Sequence, residues 1–178
     1  PITHSISPPM HNAALAALAR TDARFADWRY FRFEILPDEL PRVLDLLHAK
    51  RFRGVNLTVP HKSLAVEHLV KSDSFVRAAG AANTLTHAED GWLGANTDGY
   101  GLTASLQQEL GFALAGAHVI LLGAGGAARG AAVECLRSRC ASLWIGNRTA
   151  AILATLMADL RPAAPAAFPG CRPCPSGA

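Results

Sequence analysis

The stretch "VILLGAGGAA", Val119 to Ala128, decides the fold. Val119 to Leu122 form a short apolar run fit for a strand buried on both faces, and they lead straight into Gly123, Gly125 and Gly126. The spacing from Gly123 to Ala128 is GxGxxA, and each position has a physical task. Gly123 permits a tight turn, Gly125 lets a phosphate approach the backbone, and the small Ala128 lets the following helix pack close to the strand. Free N–H groups at the helix start, flanked by Ala124 and Ala127, then face an anion. A plain strand-to-helix connection uses glycine too, so the next strand has to arbitrate. That strand, "SLWIG", ends in Asn147, Arg148 and Thr149. A site for an unphosphorylated ribose places Asp or Glu about 20 residues after the turn. An arginine fork with small polar neighbours suits a 2′-phosphate instead, which favours NADP over NAD.

The rest of the chain alternates helices and strands around this unit. Ser7 as a cap and Pro8 at the first helical position predict a helix over about 8 to 20. "ADWRYFRFEI" alternates aromatic and charged residues as a strand does, and a helix starts near Asp38. In "GVNLTVPHK", Val55, Leu57 and Val59 form the buried face of a strand, with Asn56 and Thr58 on the other face and Lys62 just beyond its end. Short helices fill about 61 to 79, and two strand pieces flank the turn Glu89, Asp90, Gly91. A helix from Thr97 to Leu110 leaves this region, and a last helix covers about 149 to 160. The expectation is an α/β protein with mostly parallel strands. An N-terminal α/β domain at 1–100 precedes a partial Rossmann domain at 101–178, whose end, 161–178, reads as an irregular Pro-rich tail.

Composition excludes several classes. The chain has 178 residues, half of them hydrophobic, enough for a packed core. Seventeen basic residues against 14 acidic ones are scattered without a basic run, which argues against nucleic acid. No apolar run approaches the roughly 20 residues that span a bilayer, and "PITHSISPPMHN" lacks a signal-peptide core, so a cytoplasmic protein is expected. Cys171 and Cys174 make one CxxC without a second pair or spaced histidines, so no metal is expected.

Four polar clusters lie at expected strand ends or helix starts: Ser5 and Ser7; Asn56, Thr58 and Lys62; Asn83 and Thr84; Asn96, Thr97 and Asp98. Each has a plain structural use. Ser7 and Asp98 can cap helices, Asn83 and Asn96 can form turns, and Lys62 can be a solvated charge. Together, hydroxyls, carboxamides, one cation and one anion at the carboxyl ends of strands match a small polyhydroxylated acid.

The motifs SxSPxxHN, GVNxTVPHK, GAxNT, GxNTDGxG, GAGGAA and NRT, in this order from Pro1 to about Thr149, resemble the shikimate dehydrogenase family. The resemblance implies NADPH-dependent reduction of 3-dehydroshikimate to shikimate by a substrate domain joined to a Rossmann domain, in a monomer or homodimer. It implies that Ser5 and Ser7 hold the substrate carboxylate, that Thr58, Asn83 and Asp98 bind ring hydroxyls with Asn56 and Thr84 beside them, and that Lys62 and Asp98 form the catalytic pair. Gly123, Ala124, Gly125, Gly126 and Ala127, with Asn147, Arg148 and Thr149, would bind NADP. The sequence departs from the family pattern in its missing first strand, in Ile152 where relatives carry a second basic residue, and in lacking a counterpart of the family's C-terminal part. Two alternatives stay open: an enzyme that also oxidises quinate with NAD or NADP, and a truncated, inactive binding fragment.

Overall fold

The structure, a computed structural model, describes Ile2, residues 4–161 and the backbone of residues 171–173. The chain divides into two compact units, Pro1–Glu39 and Leu40–Ala178. Both sheets lie in the second unit, so this partition differs from a boundary drawn near residue 101.

In the first unit, helix α1 (Ser7–Ala19) carries Pro at its first turn, where a missing N–H costs nothing. Ser7 is the first helical residue rather than the cap; Ile6 occupies the cap position with no side-chain bond, while Ser5 Oγ accepts the Ser7 N–H at 3.3 Å. A 3-10 helix follows at Ala23–Phe25, capped by Asp22. Among the described residues, no strand partner pairs with the expected strand over 26–35. At its centre the Asn12 side chain brackets the Tyr30 main chain: Nδ2 donates to the Tyr30 carbonyl at 2.9 Å, and Oδ1 accepts the Tyr30 N–H at 2.8 Å.

The second unit opens with helix α2 (Leu40–Ala49), whose Leu40, Leu44 and Leu47 recur at helical spacing and are all buried. They face a mixed sheet ordered β1-β3-β4-β2, made of β1 (Gly54–Asn56), β2 (Leu69–Ser72), β3 (Thr84–Ala88) and β4 (Gly91–Ala95). Strand β3 is antiparallel to β1 and β4, and only β2 runs parallel to β4, so the expectation of mostly parallel strands fails for this sheet. Strand β2 itself falls where short helices were expected, between α3 (His61–Leu64) with its 3-10 extension and α4 (Ser74–Ala79). Its Leu69–Ser72 segment finds the open edge of β4. Trp92 on β4 is buried and donates its indole N–H to the Leu44 carbonyl at 3.1 Å, tying α2 to the sheet. Strand β1 ends earlier than expected, and Val59, assigned to the buried face, is 69% exposed. Beyond Asn56 the chain leaves the ladder after one further bond, from Leu57 N–H to the Asn83 carbonyl.

Helix α5 (Asp98–Leu110) leads to a parallel sheet of β5 (His118–Leu122), β6 (Ser142–Gly146) and β7 (Cys171–Pro173), with α6 (Gly126–Arg137) and α7 (Ala150–Leu160) between them. Residues 171–173, expected to be irregular, pair with the edge of β6, and Pro173 sits at the strand end, where a ladder tolerates a missing donor. The remainder of the expected tail, and Cys174 of the CxxC, lie outside the described residues. Strand β5 is not buried on both faces. Val119 and Leu121 pack on the core, while Ile120 is 69% and Leu122 82% exposed, because among the described residues helices cover one face only. Cys135 lies in the core beneath, where burial pushes its thiol up to about 11.

Helices α5 and α6 cross at close range. A methyl group on Gly99 would lie 2.5 Å from the Phe75 ring and 2.7 Å from Glu134 Oε2, both below any normal contact. Gly99→Ala should therefore destabilise the protein by about 1–3 kcal/mol through overpacking. A thermal or urea melt checks this, and an unchanged midpoint would show that the α4–α5–α6 junction is loose.

Candidate active site

The two strands of the β3–β4 hairpin end in the same tripeptide, Ala82-Asn83-Thr84 entering and Ala95-Asn96-Thr97 leaving. Antiparallel register sets Thr84 opposite Ala95, so the two asparagines emerge side by side at the open end of the hairpin. Helix α5 begins there with Asp98, and α3 brings Lys62, 36 positions earlier in the chain, to the same point.

Lys62 Nζ donates to Asp98 Oδ2 at 2.7 Å, with side chains only 16% and 28% exposed. The other carboxylate oxygen, Oδ1, accepts from Asn83 Nδ2 at 2.8 Å. Asn83 is fully engaged. Its Nδ2 also donates to Thr97 Oγ1 at 3.1 Å, and its Oδ1 accepts the Thr97 N–H at 3.0 Å and the Thr84 hydroxyl at 2.9 Å. Asn56 Nδ2 extends the chain of bonds to Thr84 Oγ1 at 3.2 Å. The structure thus brings together Asn56, Lys62, Asn83, Thr84 and Asp98 of the expected residues. Thr58 is exposed and has no described bond to this cluster; its carbonyl accepts the His61 N–H at the start of α3. Ser5 and Ser7, half-buried, lie in the first unit.

Two residues of the fourth polar cluster, not named among the expected ligands, take part in the network. Thr97 accepts from Asn83, and Asn96, 7% exposed, bonds the backbone on both sides of the site. The repeated Ala-Asn-Thr tripeptide was the available signal.

The glycine turn sits at the carboxyl edge of the parallel sheet. Gly123 has φ +117°, a conformation that favours glycine, and its N–H donates to the Gly146 carbonyl at 2.7 Å, fixing the turn against the end of β6. Gly125 precedes α6 with no side-chain cap, so the first N–H groups of the helix have no partner from that side chain. A Cβ added at Gly125 or Gly126 would meet nothing within 4 Å, so the backbone is bare to a ligand. Ala124 is buried, and Ala127 and Ala128 form the first turn of α6. Next to this turn, register pairs Leu122 with Gly146, and the chain continues to Asn147, Arg148 and Thr149. Asn147 Nδ2 donates to the Thr149 carbonyl at 2.9 Å, shaping the bend before α7. Arg148 and Thr149 are exposed, and Arg148 forms no ion pair among the described residues. Bare amides and a free guanidinium on one edge fit a phosphorylated dinucleotide.

Residues 1–85 match the family model of the shikimate dehydrogenase substrate binding domain. A shikimate dehydrogenase (NADP(+)) of Geobacter metallireducens is 39% identical over 151 residues, 85% of this chain and 51% of that protein. One of Moorella thermoacetica is 42% identical over 149 residues, 84% of this chain and 48% of that protein. Among solved structures, shikimate 5-dehydrogenase from Thermus thermophilus in complex with NADP(H) and shikimate aligns with a TM-score of 0.78 at 33% identity, covering 90% of this chain and 57% of that one. The chain spans about half the length of the curated relatives it matches. Its α/β fold is theirs, a substrate-binding region followed by a partial Rossmann sheet. By sequence over 1–85 and by fold over most of its length, the chain is similar to the shikimate dehydrogenases.

Proposed function

We propose that this chain carries the substrate centre and the cofactor turn of an NADP-dependent shikimate dehydrogenase, which reduces 3-dehydroshikimate to shikimate. The observation that carries this reading is the Lys62–Asp98 pair, 2.7 Å apart, oriented by Asn83 and partly withdrawn from water. The names of the similar enzymes, shikimate dehydrogenase (NADP(+)), support the same substrate and cofactor. A domain division at about 1–100 and 101–178 accompanies it, one sheet in each part.

Reduced NADP, when bound, supplies the hydride. The chain's own residues handle the oxygen. As the ketone carbon takes up hydride, charge grows on its oxygen, and a lysine ammonium within hydrogen-bonding reach stabilises that charge and delivers the proton that completes the alcohol. Asp98 holds Nζ in place through Oδ2 and keeps lone pairs for a ring hydroxyl. Thr58, exposed four residues before Lys62, would offer a further hydroxyl. Asn83 reaches a ring hydroxyl by exchanging its 3.1 Å contact with Thr97. Asn56 and Thr84 brace Asn83 from the sheet side. Ser5 and Ser7 keep the carboxylate-binding role that the resemblance implies. For the cofactor, Gly125, Gly126 and the first amides of α6 would take the pyrophosphate, and Arg148 with Asn147 and Thr149 the 2′-phosphate.

Shikimate-dependent reduction of NADP+, followed by absorbance in the protein that bears this chain, tests the assignment. Lys62→Ala should lower kcat by about two orders of magnitude or more and leave shikimate binding largely intact. Unchanged turnover would remove Lys62 from the chemistry, and faster turnover with quinate and NAD than with shikimate and NADP would reassign the substrate. Cofactor choice has its own test. Arg148 should make charge-assisted bonds to the 2′-phosphate worth about 1.5–3 kcal/mol, so Arg148→Ala should raise KM for NADPH by about tenfold or more and change that for NADH little. Position 152 on α7 is Ile, which supplies no second cation. A preference for NADPH that survives the substitution would place the phosphate contact elsewhere.

A further inference from the structure

Asn96 is the buried polar residue of the second unit that no step of the proposed reaction uses. Its side chain spans two pieces of backbone. Nδ2 donates to the Ala81 carbonyl at 2.8 Å, and Oδ1 accepts the Asp98 N–H at 2.9 Å. Thr97, at the cap position of α5, makes no side-chain bond to the helix. The entry of α5 is therefore set from outside, by Asn96 on the Asp98 amide and by Asn83 on the Thr97 amide.

The acceptor at Ala81 gives this its meaning. Ala81, Ala82 and Asn83 are consecutive, and each holds one part of the ion pair. Ala82 N–H donates to the Lys62 carbonyl at 2.8 Å, Asn83 Nδ2 binds the Asp98 carboxylate, and Ala81 anchors Asn96, which in turn fixes the Asp98 main chain. A single three-residue loop thus registers both the lysine and the aspartate. Gly130 of α6 also lies near this residue, where an added methyl group would make an ordinary 3.5 Å contact with Asp98 Cβ.

We infer that Asn96 is a positioning residue: its carboxamide locks the first residue of α5 to the 81–83 loop and thereby sets the Lys62–Asp98 geometry, without touching substrate. The effect on turnover rests on the proposed function; the effect on the ion pair does not.

Two readouts separate these. The chain has three lysines, and Lys50 and Lys71 are exposed, so they serve as internal references for trace acetylation read by mass spectrometry. In Asn96→Ala, with circular dichroism showing the native fold, labelling of Lys62 relative to Lys50 and Lys71 should rise by about threefold or more, as a part-buried hydrogen-bonded pair loosens. Asn96→Ser, which keeps an acceptor near the Asp98 amide but is too short to reach Ala81, should fall between wild type and Asn96→Ala. It also replaces the alanine variant should that fail to fold, with increased Lys62 labelling again expected. Lys62 labelling equal to wild type in a folded variant overturns the inference. For turnover, Asn96→Ala should lower kcat by about tenfold or more at unchanged KM for NADPH, because small misplacement of a catalytic group is costly. In a Lys62→Ala background the same substitution should cost little. A full additional loss there would show a general structural role and overturn the inference. Absence of shikimate turnover in the parent protein would instead sink the proposed function, and the labelling result would still decide the role of Asn96.

Discussion

An ammonium and a carboxylate 2.7 Å apart and largely withdrawn from water are favourable only when their remaining hydrogen-bonding capacity is met, since each loses solvation on burial. That requirement organises the second unit around Lys62 and Asp98. The carboxylate is met on both oxygens, by Lys62 and Asn83, and its main chain is met by Asn96. Asn83 in turn spends all its donors and acceptors on Asp98, Thr97 and Thr84. Removing one member leaves another polar group unsatisfied. The polar centre behaves as one network.

The same constraint reaches the sheets. Asp98 is also the first residue of α5, and the next residue, Gly99, lies where α4, α5 and α6 meet with no space for a methyl group. Helix α6 starts at the glycine turn and passes Asp98 at Gly130. Thr103 of α5 donates to Glu134 Oε1 of α6 at 3.0 Å, tying the two helices, and Ser138 at the end of α6 donates to the same oxygen at 3.2 Å. The helix whose amino end is proposed to take the cofactor phosphates therefore passes beside Asp98, which holds Lys62. Precise orientation of reacting groups accounts for much of enzymatic rate, and rigid packing is how a protein supplies it.

What was legible in the sequence follows from range. Strand β5, the glycine turn, α6, β6 and α7 were readable because apolar runs, Gly spacing and a helical period are local signals. The convergence of Lys62, Asn83 and Asp98 was expected from motif order, and the hairpin at Glu89 and Asp90 from its turn residues. At 26–35 the alternation of aromatic and charged residues is not matched by a strand partner among the described residues; at Tyr30 the bonds described are to the Asn12 side chain, 18 positions earlier. Strand β2 was missed since its four residues are too few to show a period, and only the edge of β4 makes them a strand. Val59 and the outer face of β5 were misassigned because alternation reports which residues share a face, not whether anything covers it. Asn96 looked like a turn former. Its importance lies in a bond to Ala81, which no local pattern encodes.

The most direct test of the Lys62–Asp98 centre as the substrate site is a crystal structure of the protein with shikimate bound. A ring hydroxyl should lie about 3 Å from both Lys62 Nζ and the Asp98 carboxylate, with the ion pair intact beneath it. Shikimate ordered elsewhere, or seated with Lys62 and Asp98 drawn apart and no hydroxyl between them, would contradict the account.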